Sequence, residues 1–108
     1  MNPWEIQYLP EAQQDLEGLD RSVIPEVLKG IRKVAQNPGY PDGYGKPLGN
    51  VSGTDLFGLY KIKFRKSGLR VVYGLKQQDQ IMIVIIISVR ADDAVYREAG
   101  KRRQIHNL

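Results

Sequence analysis

The sequence predicts a single α+β domain in which an αα-hairpin packs on a largely antiparallel four-stranded sheet. Two apolar stripes with helical spacing occupy the N-terminal third, and segments of alternating or continuous β-branched character follow after a loop. The chain has 108 residues, of which 42% are hydrophobic, so it suits one domain over residues 1–108 with one core. The predicted order is a strand, two helices, three strands and a short C-terminal helix.

The N-terminal third predicts one strand and two helices. Residues 4–9 alternate loosely between apolar and polar side chains, as a strand does. Pro10 suits the first turn of a helix, and residues 11–19 carry apolar side chains at spacings of four and three. Asp20 is the predicted N-cap of a second helix over residues 21–36, which has a longer apolar stripe.

A glycine- and proline-rich segment, residues 37–53, follows the helices and predicts an ordered loop. Residues 56–65 and 69–76 then alternate in character on either side of Ser67 and Gly68. We interpret this pattern as a β-hairpin with a two-residue turn.

The C-terminal third predicts a buried strand and a basic helix. Residues 81–89 form an almost continuous apolar run rich in β-branched residues, typical of a central strand buried on both faces. Residues 92–104 predict the short helix. His106 lies beyond it and is interpreted as a tail residue without a catalytic role.

The predicted hairpin gathers cationic side chains on one face of the sheet. With a two-residue turn, Arg65 lies directly opposite Arg70, and Lys61 and Lys63 share their face. Like charges opposed across a strand pair destabilise it, and no acidic residue between positions 61 and 70 neutralises the group. Guanidinium and ammonium groups match phosphate oxygens, so we interpret the face as a phosphate site.

Charge is distributed unevenly along the chain. Residues 1–60 hold five basic and eight acidic residues, a net charge of −3, whereas residues 61–108 hold eleven basic and four acidic residues, a net charge of +7. A positive field on one part of a small domain attracts polyanions. A lysine among cations gives up its proton more readily, and RNA supplies its own 2′-hydroxyl nucleophile, so a nuclease could act through Lys and Arg alone.

Missing residue types exclude several kinds of site. The chain has no cysteine, which excludes disulfides, zinc–thiolate sites and a thiol nucleophile. His106 is the only histidine, so neither a metal site nor another cofactor is predicted. The sequence shows no secretory-signal pattern, and its longest apolar stretch is far shorter than the roughly 18 residues of a membrane span, so a cytoplasmic protein is expected.

Several motifs resemble the RelE group of the RelE/ParE toxin superfamily. They are KPLG at 46–49, LYKIKFR at 59–65, SGLR at 67–70, VVY at 71–73, ISVR at 87–90 and VY at 95–96. The resemblance covers nearly the whole chain and is most specific between positions 60 and 73.

This resemblance implies a ribosome-dependent mRNA endonuclease, the toxin of a type II toxin–antitoxin pair. Such toxins cut mRNA in the ribosomal A site, where the 2′-hydroxyl attacks the adjacent phosphate and a 2′,3′-cyclic phosphate results. The implied partners are the ribosome, its mRNA and a cognate acidic antitoxin, with no membrane. By this resemblance, Lys61 and Lys63 match the basic pair that activates the nucleophile and stabilises charge, and Arg70 matches the transition-state arginine.

The resemblance also implies roles outside that trio. Arg90 matches the general acid for the leaving 5′-oxygen, with Arg97 as the alternative because the spacing from Arg90 to Tyr96 is shorter than in the family. Tyr96 matches a tyrosine that stacks on the mRNA base. Lys46, Arg65 and Arg97 are the expected substrate contacts.

Two other functions stay open at this stage. Toxins of the ParE branch share the fold, lack this catalytic basic set and inhibit DNA gyrase instead. A plain RNA-binding module would use the basic half for phosphate contacts without cleavage. The presence of Lys61, Lys63 and Arg70 favours the RelE branch.

Overall fold

The computed structural model describes residues 2–39, 42–89 and 93–108. Its elements in chain order are β1 (Glu5–Tyr8), α1 (Pro10–Glu17), α2 (Ile24–Ala35), β2 (Lys46–Pro47), β3 (Asn50–Val51), β4 (Thr54–Asp55), β5 (Leu59–Lys63), β6 (Arg70–Lys76), β7 (Ile81–Ser88) and α3 (Asp93–Ile105). The α+β prediction is confirmed, because helices pack on a mostly antiparallel sheet and a C-terminal helix is present.

The main sheet has the strand order β1-β7-β6-β5-β2, so β7 lies between β1 and β6. β1 runs parallel to β7, and the other neighbours are antiparallel. The four predicted strands are present. A fifth strand, β2, lies inside the segment predicted as a loop, because Lys46 and Pro47 pair with Lys61 and Tyr60. The strands β3 and β4 form a separate small hairpin.

The register of the β5–β6 hairpin differs from the prediction. Lys63, and not Arg65, pairs with Arg70. The favoured two-residue turns need a positive φ at their first central residue; Ser67 lacks it, whereas Gly68 has a φ of 77°, and the connection is therefore longer. A shift of two residues returns every side chain to the same face, so the predicted faces are correct although the predicted pairs are wrong.

Helices cover both faces of the sheet. On one face, α2 approaches Phe64 so closely that a Cβ on Gly30 would lie 2.4 Å from the phenyl ring. Tyr73 is fully buried on this face and donates a 2.7 Å hydrogen bond to the carbonyl oxygen of Pro38, three residues after the end of α2. Burial raises the pKa of the Tyr73 phenol well above its usual range. The helix α3 covers the opposite face, so β6 and β7 are buried on both sides, as the apolar run predicts for the central strand.

The helix α2 begins later than predicted, and Asp20 is not its N-cap. The Asp20 Oδ1 accepts hydrogen bonds from the N–H of Ser22 (2.9 Å) and from its hydroxyl (2.8 Å), which closes a turn before the helix. These bonds lower the pKa of Asp20. The helix starts at Ile24 with Pro25 in its first turn, where the missing proline N–H needs no partner.

The C-terminal end of the chain returns to the start of α1. The prediction that His106 is an unattached tail residue is wrong, because its Nε2 lies 3.0 Å from both carboxylate oxygens of Glu11. The two residues are far apart in sequence, and only the packing of α3 across the sheet brings them together. Among the helices that the structure describes, none combines the length and apolar character needed to cross a membrane.

Candidate functional site

Four cations form what we call the cationic face, which consists of Lys46, Lys61, Lys63 and Arg70. Lys46 pairs with Lys61 across β2 and β5, and Lys63 pairs with Arg70 across β5 and β6. Residues directly opposite share a face, and alternate residues of a strand share a face, so all four side chains leave the sheet on one side. Lys46 and Lys63 are exposed, and Lys61 and Arg70 are half-buried.

This arrangement destabilises the sheet locally. Each pair of like charges directly opposite each other lowers the stability of the sheet by a few tenths of a kcal/mol to about 1 kcal/mol. The cationic face contains two such pairs. Among residues 2–39, 42–89 and 93–108, the ion pairs all involve α3 or the residue that follows it, and none reaches the cationic face. An uncompensated cluster of this kind is typical of a surface that binds an anion.

The ring of Tyr96 lies beside the cationic face. It faces the sheet from α3, and the Lys61 Nζ is 5.9 Å from its centroid, within the range of a cation–π contact. Tyr96 is only 8% exposed. The structure therefore brings Tyr96 next to a predicted catalytic lysine, with its ring largely covered.

The remaining predicted site residues are not part of the cationic face. Arg65 is exposed in the connection after β5, outside the paired strands. Arg97 is exposed on the outer side of α3, whereas its neighbour Tyr96 faces the sheet. Ser88 pairs with Arg70 at the end of β7. Arg90, the predicted general acid, follows two positions later and lies outside the described residues.

A bridge between α1 and α3 is a feature that sequence reasoning missed. The Arg102 Nη1 donates to the Asp15 Oδ2 at 2.7 Å and to the carbonyl oxygen of Ile85 at 2.9 Å, and its Nε donates to Glu98 at 3.1 Å. Burial lowers the pKa of Arg102, but its bonds with Asp15 and Glu98 outweigh that effect and raise the pKa overall. Only the spacing of Glu98 and Arg102, one helical turn apart, gave a sequence signal.

The described site offers the chemistry of ammonium and guanidinium groups. In the described part of the chain, no three side chains of the His, Asp or Glu types come together in a way that could hold a metal ion. Lysine can accept or donate a proton, and arginine donates hydrogen bonds in a rigid fork that matches phosphate. Together these groups can bind a phosphodiester and stabilise negative charge that develops on it.

The chain is similar to known toxins along most of its length. The family described as the ParE toxin of the type II toxin–antitoxin system, parDE, matches residues 6–94. A RelE-like toxin protein of Escherichia coli is 25% identical over 99 residues, which are 92% of this chain and 96% of that protein.

Solved structures share the fold. A free double-arginine mutant of E. coli RelE superimposes with a TM-score of 0.69 and 25% identity, over 94% of this chain and 98% of the other. The RelBE2 toxin–antitoxin complex of Mycobacterium tuberculosis contains a chain that matches with a TM-score of 0.67 and 20% identity, over 85% of this chain and 97% of that chain. The chain therefore belongs to the RelE/ParE superfamily of type II toxin–antitoxin toxins, in its RelE branch.

Proposed function

We propose that this toxin is a ribosome-dependent, metal-independent endoribonuclease that cuts mRNA in the ribosomal A site and so inhibits translation. The observation that carries the proposal is the cationic face. Its two opposed like-charge pairs reduce the stability of the sheet, and no described carboxylate compensates them. A bound RNA phosphate would supply the missing negative charge.

The proposed reaction uses the substrate's own nucleophile. The 2′-oxygen attacks the adjacent phosphorus as one lysine of the pair Lys61 and Lys63 accepts its proton and the other stabilises charge, and Arg70 binds the phosphate oxygens that become more negative. The bond from phosphorus to the 5′-oxygen breaks, and that oxygen takes a proton from Arg90 or Arg97. The products are a 2′,3′-cyclic phosphate and a 5′-hydroxyl, so atoms and protons balance. Lys46 and Arg65 would hold flanking phosphates.

The proposed protein partner is an acidic antitoxin. The related chains from M. tuberculosis and E. coli were solved in toxin–antitoxin complexes. An acidic segment would be attracted to the same four cations that would bind RNA, and its binding would exclude the substrate.

The test is cleavage of mRNA on programmed ribosomes, mapped by primer extension, for the wild type, Arg70→Ala and Lys76→Ala. Lys76 is an exposed cation at the other end of β6, roughly 20 Å from Arg70, so Lys76→Ala changes the net charge equally without touching the cationic face. We expect Arg70→Ala to lower kcat by at least about 100-fold and Lys76→Ala to have little effect. Undiminished cleavage by Arg70→Ala would contradict the proposed site.

Inhibition of DNA gyrase is the second candidate, because the matching family description is that of a ParE toxin. Induction of the protein in cells distinguishes the two. Loss of intact mRNA and of translation before any change in plasmid supercoiling supports the nuclease, whereas a supercoiling defect with intact mRNA supports gyrase inhibition. RNA binding without new RNA ends would instead indicate a plain RNA-binding module.

A further inference from the structure

The central strand β7 has a neighbour along only part of one side. β1 pairs with it from Ile81 to Val84, and the Leu9 N–H then donates to the carbonyl oxygen of Val84. At Pro10 the chain turns into α1 and leaves the sheet. Beyond Val84, therefore, no strand of the described residues continues β1 along that side of β7.

Two side chains take the place of the missing strand. The Asp15 Oδ2 accepts a 3.1 Å hydrogen bond from the N–H of Ile87, and the Arg102 Nη1 donates a 2.9 Å hydrogen bond to the carbonyl oxygen of Ile85. Asp15 comes from α1 and Arg102 from α3, and they join each other at 2.7 Å. Their side chains are only 23% and 11% exposed. The bridge thus satisfies one N–H and one C=O of β7 while it ties α3 to α1.

Arg102, the α3 end of the bridge, lies on the same helix as Tyr96, whose ring is beside the cationic face. Arg102 is six residues from Tyr96, about 9 Å along α3, and a helix of this length moves as a unit. We propose that Asp15 and Arg102 are positioning residues of the nuclease site: they hold α3 on the sheet so that Tyr96 stays beside Lys61. The expected effect on catalysis rests on the proposed function, whereas the statement that the bridge holds Tyr96 beside Lys61 does not.

The chain offers a matched control for this idea. Arg102 has two carboxylate partners, Asp15 on α1 and Glu98 on α3 itself. Glu98 is 43% exposed and belongs to the same helix as Arg102, so its ion pair cannot attach α3 to the rest of the protein. Asp15→Asn and Glu98→Gln each remove one negative charge, and only the first weakens the bridge.

The first measurement is steady-state cleavage on programmed ribosomes for the wild type, Asp15→Asn, Glu98→Gln and Arg102→Lys. We expect Asp15→Asn to lower kcat about tenfold with KM within about twofold, because misplacement of a site residue affects the transition state more than docking. Glu98→Gln should stay within about twofold of the wild type. Arg102→Lys keeps the positive charge but has a single donor nitrogen, so it should retain intermediate activity. If Asp15→Asn does not fold, Arg102→Lys is the variant that tests the bridge in its place.

The second measurement is independent of nuclease activity. Because the Lys61 Nζ lies 5.9 Å from the centroid of the Tyr96 ring, we expect the ring current to shift the NMR signals of the Lys61 side chain in the free protein. Asp15→Asn should reduce that shift, and Glu98→Gln should preserve it. If the shift persists in Asp15→Asn, or if kcat per folded molecule equals that of Glu98→Gln, the positioning role is wrong. If the wild type does not cleave but Asp15→Asn still loses the shift, the proposed function fails and the positioning of Tyr96 stands.

Discussion

At the scale of single residues, Lys63 and Arg70 set the stability of the sheet against the proposed binding of phosphate. They face each other across β5 and β6, where a residue of opposite charge would favour pairing. A binding surface for phosphate needs the same two cations to remain free of carboxylates. Proteins commonly retain such locally unfavourable arrangements where activity depends on them.

This opposition makes Lys63→Glu a diagnostic substitution. Removing one like-charge contact and creating an attractive pair with Arg70 should raise the free energy of unfolding by about 0.5 to 1 kcal/mol, measured by urea denaturation. Cleavage on ribosomes should be lost in the same variant. Lys76→Glu is the control, since Lys76 pairs with the uncharged Ile81. Equal stability changes in the two variants would mean that the contact between Lys63 and Arg70 is not unfavourable.

At the scale of elements, α3 is attached to the domain by side chains from α1 as well as by its buried residues. Asp15 and Glu11 of α1 meet Arg102 and His106 at the C-terminal part of the chain. The hydrogen bond from His106 is the main cause that lowers the pKa of Glu11. This contact therefore stabilises the docked helix only while Glu11 is ionised.

The lowered pKa of Glu11 gives a pH dependence of known sign. Because the pKa of Glu11 in the folded state lies below its ordinary value of 4.5, the stabilisation is present above that value and is lost as the pH falls through the folded pKa. Glu11→Gln should flatten the loss of stability between about pH 5 and pH 3, followed by urea denaturation at each pH.

Glu17→Gln is the matched control for Glu11→Gln. Glu17 lies on the same helix and accepts a hydrogen bond from Gln13 of α1 rather than from α3. The protection factors of the α3 amides against hydrogen exchange, which correct for the slower intrinsic exchange at low pH, should fall on acidification in the wild type and in Glu17→Gln alike. The same acid profile in all three proteins would show that the His106 contact does not hold α3 in place.

At the scale of the whole molecule, the sheet brings charges that are spread along the chain together on one surface. The net charge of +7 in residues 61–108 is divided among the sheet, α3 and the connections. The cationic face collects three of those cations and adds Lys46 from the otherwise acidic half. A compact positive surface of this kind steers polyanions toward one region.

The affinity for single-stranded RNA should therefore depend strongly on salt. If the four side chains of the cationic face each neutralise one phosphate, the slope of log K against log salt concentration is about −3. Arg70→Gln should reduce its magnitude by about 0.7, and Lys76→Gln should leave it unchanged. Fluorescence titration over a series of salt concentrations measures both slopes. A similar reduction in the two variants would mean that RNA contacts the surface diffusely.

Much of the fold could be predicted because it depends on local patterns. The continuous apolar run of residues 81–89 indicated a strand buried on both faces, and the spacing of apolar residues indicated the αα-hairpin. The alternation around Lys61 and Lys63 also identified the correct face, since face depends only on parity along the strand. The pairing partner of Arg70 was wrong, because register depends on the turn, and Ser67 does not adopt the φ that a two-residue turn requires.

The sequence by itself determined the class of this protein: an α+β domain with cations on one face of a hairpin and RelE-like motifs across the chain. Tertiary structure alone decided that Lys46 joins those cations, that Tyr96 is covered beside Lys61, and that Asp15 and Arg102 complete the edge of β7. These contacts join residues far apart in sequence, whose distance depends on how helices pack on the sheet. No local spacing encodes such distances, whereas strand parity and helical period are properties of the chain itself.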